Sequence, residues 1–122
     1  MLGDVNTGKT SLINRYVYNT DSIQSSNEIH TYNKCLDLNK SSCVNMTIHD
    51  TTEMKNLGTF TKDYYRDAHG ALIVFDLCDQ KTFDNVDKWL NDLKNNAPRD
   101  VVYAIIGNKS DNVKERKVKY VD

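Results

Sequence analysis

Two glycines, a lysine and a hydroxyl residue stand at fixed spacing near the start of the chain. Gly3, Gly8, Lys9 and Thr10 form the pattern G-x-x-x-x-G-K-[ST]. The glycines allow a tight backbone turn whose N–H groups face an anion, Lys9 adds positive charge, and Thr10 offers a hydroxyl to Mg²⁺. The predicted nucleotide-binding residues of this loop are Gly3, Asp4, Val5, Asn6, Thr7, Gly8, Lys9, Thr10 and Ser11.

A helix is predicted directly after the loop. Leu12, Ile13, Tyr16 and Val17 recur at helical spacing and share one face. The helix therefore begins where the phosphates would lie, and its N-terminal dipole would add to the anion site.

An aspartate ends a predicted strand of a hairpin. In Lys34–Leu38 and Val44–His49, apolar residues alternate with polar ones, and Asn39–Ser42 supplies turn residues. We expect Val44, Met46 and Ile48 to point inward. Asp50 follows the second strand, and an acid at this place typically holds Mg²⁺ in a phosphate-binding protein, so Thr10 and Asp50 are the predicted metal-site residues.

Two apolar runs predict strands that are covered on both faces. They are Ala71–Phe75 and Val101–Ile106, and the segment between them, Thr82–Asn96, has apolar residues at helical spacing. A shorter, irregular helix is predicted over Leu57–Ala68. The residues of the predicted Thr82–Asn96 helix that we expect to lie in the core are Phe83, Val86, Trp89, Leu90 and Leu93. Alternating strands and helices predict a largely parallel sheet between helical layers.

A second motif follows the last apolar run. Asn108, Lys109 and Asp111 form N-K-x-D at the carboxyl end of a predicted strand, where ligands of such sheets bind. The Asp111 carboxylate is suited to accept hydrogen bonds from N1–H and the exocyclic amine of guanine, and adenine has neither donor there. Asn108 would brace the loop, and the Lys109 stem would lie along the base and ribose. The wrong base would leave a buried carboxylate unpaired, which favours guanine.

Length and composition restrict the class of protein. The 122 residues are enough for one domain, and we expect residues 1–122 to form a single, partial one. A net charge of −1 offers no basic field for nucleic acid. No run is long enough to span a membrane and no leader precedes the loop, which indicates a cytoplasmic chain. The three cysteines, Cys35, Cys43 and Cys78, are scattered without metal-site spacing and are expected to be reduced thiols.

These motifs together resemble the small GTPases of the Ras superfamily, and most closely the Rab family. The resemblance extends over essentially all 122 residues. It rests on Leu2–Asp4, Gly8–Leu12, Arg15–Tyr16, Asp50–Thr51, Tyr64–Ala68, Phe75–Asp76, Phe83–Leu90 and Gly107–Asp111. Leu12–Ile13 and the region from Tyr64 to Ala71 resemble the Golgi-associated Rab6-like group.

The resemblance implies a Ras-type P-loop α/β fold. This is a three-layer sandwich whose mostly parallel sheet has one antiparallel hairpin strand at its edge. It also implies a GTP/GDP switch with Mg²⁺ that acts in vesicle-mediated protein transport, with Lys9 as the catalytic residue that neutralises charge on the phosphates. Effectors, exchange factors and GTPase-activating proteins would be its partners. A full-length, prenylated form would lie on the Golgi or other endomembranes.

The sequence departs from the family at the residues that sense and hydrolyse the γ-phosphate. Glu28 stands where the family has a Mg²⁺-binding threonine, for which Thr31 would substitute only after a shift of the loop. Glu53 replaces a glycine and Met54 replaces the glutamine that orients the attacking water, and a thioether does not orient water. Val5 places a branched side chain near that water. The resemblance therefore implies slow or absent GTP hydrolysis.

Both ends of the family's domain are expected to be incomplete here. The family's first strand, which lies between the strands ending at Asp50 and Phe75, is reduced to Met1–Leu2. We therefore expect those two strands to lack a shared neighbour and the chain to be marginally stable or prone to aggregate. The family's last strand and helix and its lipidated cysteine tail are also unmatched, so the chain itself offers no lipid anchor.

Three functions remain open from the sequence. The first is a guanine-nucleotide switch, and the second is a degenerate pseudo-GTPase that serves only as a protein-interaction module. The third is a P-loop kinase for a small metabolite, against which Asn108, Lys109 and Asp111 argue.

Overall fold

Helices alternate with strands along the chain, as the sequence predicts for an α/β protein. The computed structural model describes residues 1–19, 30–51 and 62–120. Its elements are α1 (Lys9–Tyr18), β1 (His30–Asn39), β2 (Ser42–Asp50), α2 (Lys62–Arg66), β3 (Gly70–Asp76), α3 (Gln80–Asp84), α4 (Val86–Asn96), β4 (Val102–Asn108) and a 3₁₀ turn (Val113–Glu115). No helix among these described residues is long and apolar enough to cross a bilayer.

The predicted hairpin is confirmed. β1 and β2 pair antiparallel from His30 opposite Asp50 to Asn39 opposite Ser42. The Asn39 Oδ1 atom accepts a hydrogen bond of 3.0 Å from the Ser41 N–H, which closes the turn. Val44 lies on the same face as the half-buried Met46 and Ile48, as predicted, but it is not buried there, because its exposure is 46%. Val44 lies near the turn, where the residues of both strands are exposed.

β3 and β4 form a parallel pair from Gly70 opposite Val102 to Asp76 opposite Asn108. β3 is largely buried as predicted, but β4 is not covered on both faces. Val102 is 70% exposed and Ile105 is 45% exposed. β4 pairs on one side only, and within the described residues no further strand lies beyond it. The apolar run of β4 was therefore correctly predicted as a strand and wrongly predicted as doubly buried.

Two residues connect the hairpin to the parallel pair. The Leu2 N–H donates to the Leu72 carbonyl at 2.7 Å, and the Val74 N–H donates to the Leu2 carbonyl at 2.8 Å. On the other side, the Met1 amino group donates to the His49 carbonyl at 2.8 Å. The expectation that the strands ending at Asp50 and Phe75 share no neighbour is therefore wrong, because Met1–Leu2 bonds to both.

The core lies between β3 and the helices that follow it. Its buried residues are Leu2, Tyr65, Ala71, Ile73, Phe75, Leu77, Val86, Trp89, Leu93 and Val118. The single helix predicted over Thr82–Asn96 is instead two helices that meet at Asn85. Because α3 does not continue the buried face of α4, Phe83 is 43% exposed and lies outside the core. Trp89 and Leu93 occupy the core as predicted.

The cysteines are less scattered than their spacing in the sequence indicates. Asp37 lies opposite Cys43 in the hairpin, and Cys35 is two residues from Asp37, so all three share one face. Cys35 and Cys43, which are eight positions apart in the sequence, are thus brought together by the pairing of the strands. All three cysteines of the chain are free thiols in the structure.

Candidate nucleotide site

The loop before α1 takes a backbone conformation that few residues adopt. Gly3, Asn6 and Gly8 have φ angles of 133°, 64° and 92°. A side chain at Gly3 would place its Cβ 2.1 Å from the Val74 carbonyl oxygen, so glycine is required there. Asparagine tolerates positive φ better than most residues, which explains how Asn6 is accommodated. The loop is thus held in a tight wrap directly before a helix N-terminus.

Lys9 lies at the base of this loop. Its side chain is only 2% exposed, and Nζ donates to the Gly3 carbonyl at 2.8 Å and to the Asp4 carbonyl at 2.6 Å. Burial lowers the pKa of Lys9 to about 8, although the charges of Asp50 and Asp4 oppose this shift. A buried cation at a helix N-terminus attracts anions because little water competes for it.

The two predicted metal ligands meet at one point. The Thr10 hydroxyl donates a hydrogen bond to Oδ2 of Asp50, which ends β2 and is 3% exposed. This contact joins α1 to the hairpin across 40 positions of sequence. Hydroxyl and carboxylate oxygens are the ligands that Mg²⁺ prefers. The residues present therefore fit a Mg²⁺ ion.

The predicted guanine loop contacts the phosphate loop through Asn108. Its Nδ2 atom donates to the Thr7 carbonyl at 2.9 Å. A Cβ at Gly8 would come within 2.2 Å of the same nitrogen, so the second glycine of the phosphate loop also makes room for Asn108. The two motifs, 101 positions apart, thus form one site.

Lys109 and Asp111 take different positions in this loop. Lys109 has a φ of 63°, and its Nζ lies 2.6 Å from Oδ2 of Asp76 at the end of β3. Burial opposes ionisation of Asp76, but hydrogen bonds from Lys109 and the Cys78 N–H outweigh it and lower the pKa of Asp76. Asp111 lies in the following turn with its side chain exposed. Its carboxylate is accessible to a ligand from solvent.

One part of the site has no counterpart in the motifs. Trp89 Nε1 donates to Asp4 Oδ1 at 2.8 Å, and Asn85 Nδ2 donates to Asp4 Oδ2 at 2.7 Å. The apolar spacing of Thr82–Asn96 predicted Trp89 only as a core residue. The available signal was the indole N–H, which needs an acceptor when a tryptophan is buried.

Of the remaining residues singled out in the sequence, some lie outside the described structure and others lie within it. Glu28, Glu53 and Met54 lie outside the described residues. Thr31 lies in β1, where its Oγ1 is 3.2 Å from His49 Nδ1. Val5 is 44% exposed in the phosphate loop, and Ser11 is half-buried in the first turn of α1.

The sequence of the chain is similar to those of known proteins. A family model described as the Ras family matches residues 1–122. The GTP-binding protein ypt3 of Schizosaccharomyces pombe is 37% identical over 115 residues, covering 91% of this chain and 52% of that protein. Ras-related protein Rab-26 of Rattus norvegicus is 35% identical over 125 residues, covering 100% of this chain and 48% of that protein. Ras-related protein RABA1b of Arabidopsis thaliana is 36% identical over 112 residues, covering 91% of this chain and 52% of that protein.

The chain spans about half the length of these relatives. The resemblance to the Rab6-like group stays a prediction. The family model covers every residue of the chain, and the Rab-named relatives align with nine-tenths or more of it. The chain therefore belongs to the Ras family, and within it to the Rab family of small GTPases.

Proposed function

We propose that the chain binds GDP and GTP with Mg²⁺ as the nucleotide domain of a Rab-type switch. The observation that carries this proposal is the 2.9 Å hydrogen bond from Asn108 to the Thr7 carbonyl. It joins a loop suited to phosphates to a loop suited to guanine. A ligand with a base at one end and phosphates at the other matches that arrangement.

The phosphate end of the site supplies charge and oxygen ligands. Lys9 would move from the carbonyls of Gly3 and Asp4 to the β- and γ-phosphates, since both partners are neutral acceptors. Thr10 and Asp50 would hold Mg²⁺, which neutralises phosphate charge when it is bound. The buried surroundings of Lys9 strengthen its attraction for the phosphates.

The base end of the site would select guanine. Lys109 forms its ion pair with Asp76 and not with Asp111. Guanine would therefore bind the exposed Asp111 carboxylate without first breaking an ion pair to Lys109. We expect Asp111 to accept hydrogen bonds from N1–H and the 2-amino group of guanine. Adenine would leave that carboxylate unpaired in the complex, which costs about 1–3 kcal/mol or more for a charged group.

Hydrolysis would be attack of water on the γ-phosphate, with Lys9 neutralising the charge that develops. We expect this step to be slow, because Met54 replaces the glutamine that positions water in the family and the negatively charged Glu53 replaces a glycine of the family. Binding and hydrolysis are therefore separable in this chain.

The biological setting follows from the family. We propose a role in vesicle-mediated protein transport, with effectors, exchange factors and GTPase-activating proteins as partners. The working location would be the cytoplasm, and the Golgi or another endomembrane for a prenylated full-length form. Residues 1–122 would supply part of one GTPase domain in that protein.

Competition between nucleotides tests the proposal. A fluorescent GDP analogue is bound in Mg²⁺, and GDP or ADP is added to displace it. GDP should displace it at far lower concentration than ADP, and Asp111→Ala should remove the difference. Asp100→Ala is the matched control, because Asp100 is also an exposed aspartate but precedes β4 at the opposite end of that strand. Equal displacement by ADP and GDP would contradict the proposal.

The second candidate is a pseudo-GTPase that acts only as a protein-interaction module. Glu28, Glu53 and Met54 favour it, because each replaces a residue that the family uses on the γ-phosphate. In the same assay, absence of binding by GDP, GTP and ADP would support this alternative. Guanine-selective binding would reject it.

A further inference from the structure

Two thiols and a carboxylate lie together on the outer face of the hairpin, apart from the nucleotide site. The cluster consists of Cys35, Asp37 and Cys43. One ligand atom of each residue lies within 4.8 Å of the other two, and all three side chains are exposed.

The register of the hairpin produces this cluster. Asp37 is directly opposite Cys43, and Cys35 is opposite Asn45. Residues two apart on a strand point to the same face, so Cys35 and Asp37 flank one position of the partner strand. The register shifts just after Asp37, between Asp37 and Asn39, which marks a bulge beside the cluster. Bulges re-aim side chains at the end of a strand pair.

The spacing of the cluster suits a metal ion. Zn²⁺ binds thiolate sulfur at about 2.3 Å, so two sulfurs on a tetrahedral ion are about 3.8 Å apart. Ligand atoms within 4.8 Å of one another reach that geometry through a small movement of exposed side chains. The Asp37 carboxylate supplies a third ligand, which leaves one position for water.

A disulfide between the same cysteines fits less well. Cys35 and Cys43 are diagonal neighbours across the strands, for which Cα atoms are about 7–8 Å apart. Disulfides need Cα separations below about 7 Å without movement of the backbone. A metal ion bridges the extra distance because it adds two bonds between the sulfurs instead of one.

We propose that Cys35, Asp37 and Cys43 form a binding site for a thiophilic divalent cation, Zn²⁺ being the natural candidate. The site differs in chemistry from Thr10 and Asp50, which offer oxygen ligands only. Thiolates select Zn²⁺ over Mg²⁺, whereas hydroxyl and carboxylate oxygens suit Mg²⁺. The two sites would therefore be filled independently.

Cobalt titration tests this site. The reduced chain is titrated with Co²⁺ in saturating Mg²⁺ and GDP, and thiolate-to-cobalt charge-transfer absorbance is recorded. We expect one equivalent of Co²⁺ to saturate the absorbance and Zn²⁺ to abolish it. Cys35→Ser and Cys43→Ser should each lose the absorbance, and Asp37→Asn should weaken the affinity with both thiolates in place. Cys78→Ser is the matched control and should keep the full signal.

Thiol reactivity gives a second readout that needs no variant. In the unmodified chain, one equivalent of Zn²⁺ should protect two of the three cysteines from a thiol reagent, leaving Cys78 to react. The proposal is overturned when all three thiols react equally with and without Zn²⁺. It is also overturned when Cys35→Ser and Cys43→Ser retain the cobalt absorbance, or when the pair oxidises to a disulfide and the reduced chain takes up no metal.

Discussion

The Trp89 indole and the Asp4 carboxylate form a hydrogen bond of 2.8 Å that ties the core helix α4 to the phosphate loop. Asn85, at the start of α4, donates to the other oxygen of the same carboxylate at 2.7 Å. One oxygen of the Asp4 carboxylate is therefore held by α4 and the other by the residue just before that helix. The Asp4 carbonyl accepts hydrogen bonds from Lys9 and Thr7. The phosphate loop is therefore held by contacts with this helix as well as by the conformation of its glycines.

Trp89→Phe should lower the free energy of unfolding. Phenylalanine keeps most of the buried ring but removes the donor to a charged acceptor, so a loss of about 1.5–3 kcal/mol is expected. Urea unfolding followed by circular dichroism measures it. Asn91→Gln, at an exposed position in the middle of α4, should change stability by less than about 0.5 kcal/mol. Equal urea midpoints for Trp89→Phe and the unmodified chain would contradict a stabilising hydrogen bond between Trp89 and Asp4.

Asn108→Ala should weaken GDP binding and destabilise the chain. It removes the hydrogen bond to the Thr7 carbonyl, which is worth about 0.5–1.5 kcal/mol between neutral groups. Asp111→Ala should lower guanine affinity without this loss of stability, because Asp111 is exposed. Thermal unfolding and nucleotide displacement separate the two effects. The interpretation fails when both variants have the stability of the unmodified chain.

GDP affinity should fall as pH rises above about 8, the pKa of Lys9 in the free chain. Bound phosphates stabilise protonated Lys9 and raise its pKa, so binding takes up a proton above that pH. Affinity should therefore be level below pH 8 and about tenfold lower at pH 9. Lys9→Met should bind more weakly with no such slope. A slope that persists in Lys9→Met would assign the titration to another group.

Lys9 should affect folding in the opposite direction. Its folded pKa, about 8, lies below the value of 10.5 for an unperturbed lysine. Between these values the unfolded chain binds more protons, so the Lys9 contribution to stability becomes more favourable as pH rises. The difference in unfolding free energy between the unmodified chain and Lys9→Met should show this trend. No trend across that range would argue against a buried ammonium.

Restoring the family's residues should speed GTP hydrolysis. The double variant Glu53→Gly, Met54→Gln supplies an amide side chain to orient water and removes a negative charge. We expect single-turnover phosphate release to rise by about tenfold or more. Met54→Leu is the control, since it keeps an apolar side chain and should leave the rate unchanged. A rate in the unmodified chain equal to that of the double variant would refute the prediction of slow hydrolysis.

The exposed face of β4 should promote self-association. Val102 is 70% exposed on a strand that pairs on one side within the described structure, and such edges recruit other strands. Val102→Lys should reduce association, as measured by sedimentation velocity. Val113→Lys is the matched control, because Val113 is 73% exposed but lies in a 3₁₀ turn and not in a sheet. Equal effects of the two changes would implicate general surface charge rather than the strand.

The residues of the candidate site were recognisable in the sequence because each motif is contiguous. Gly3, Gly8 and Lys9 belong to one short segment of the sequence, and Asn108 to Asp111 belong to another. The hairpin, the first helix and the end of α4 were predictable for the same reason, since turn residues and the period of apolar residues act over a few positions. The split at Asn85 was missed because the apolar spacing continues across it.

Contacts between segments were decided by the tertiary structure. Thr10 meets Asp50, Asp4 meets Trp89, and Asn108 meets Thr7 across 40, 85 and 101 positions of sequence. The burial of β4 and the joining of the sheets by Met1–Leu2 were likewise mispredicted. An apolar run determines that a segment becomes a strand, but its exposure depends on which elements pack beside it. The sequence by itself thus determined the motifs that make up the candidate site, while the order and packing of the strands decided which of their residues meet.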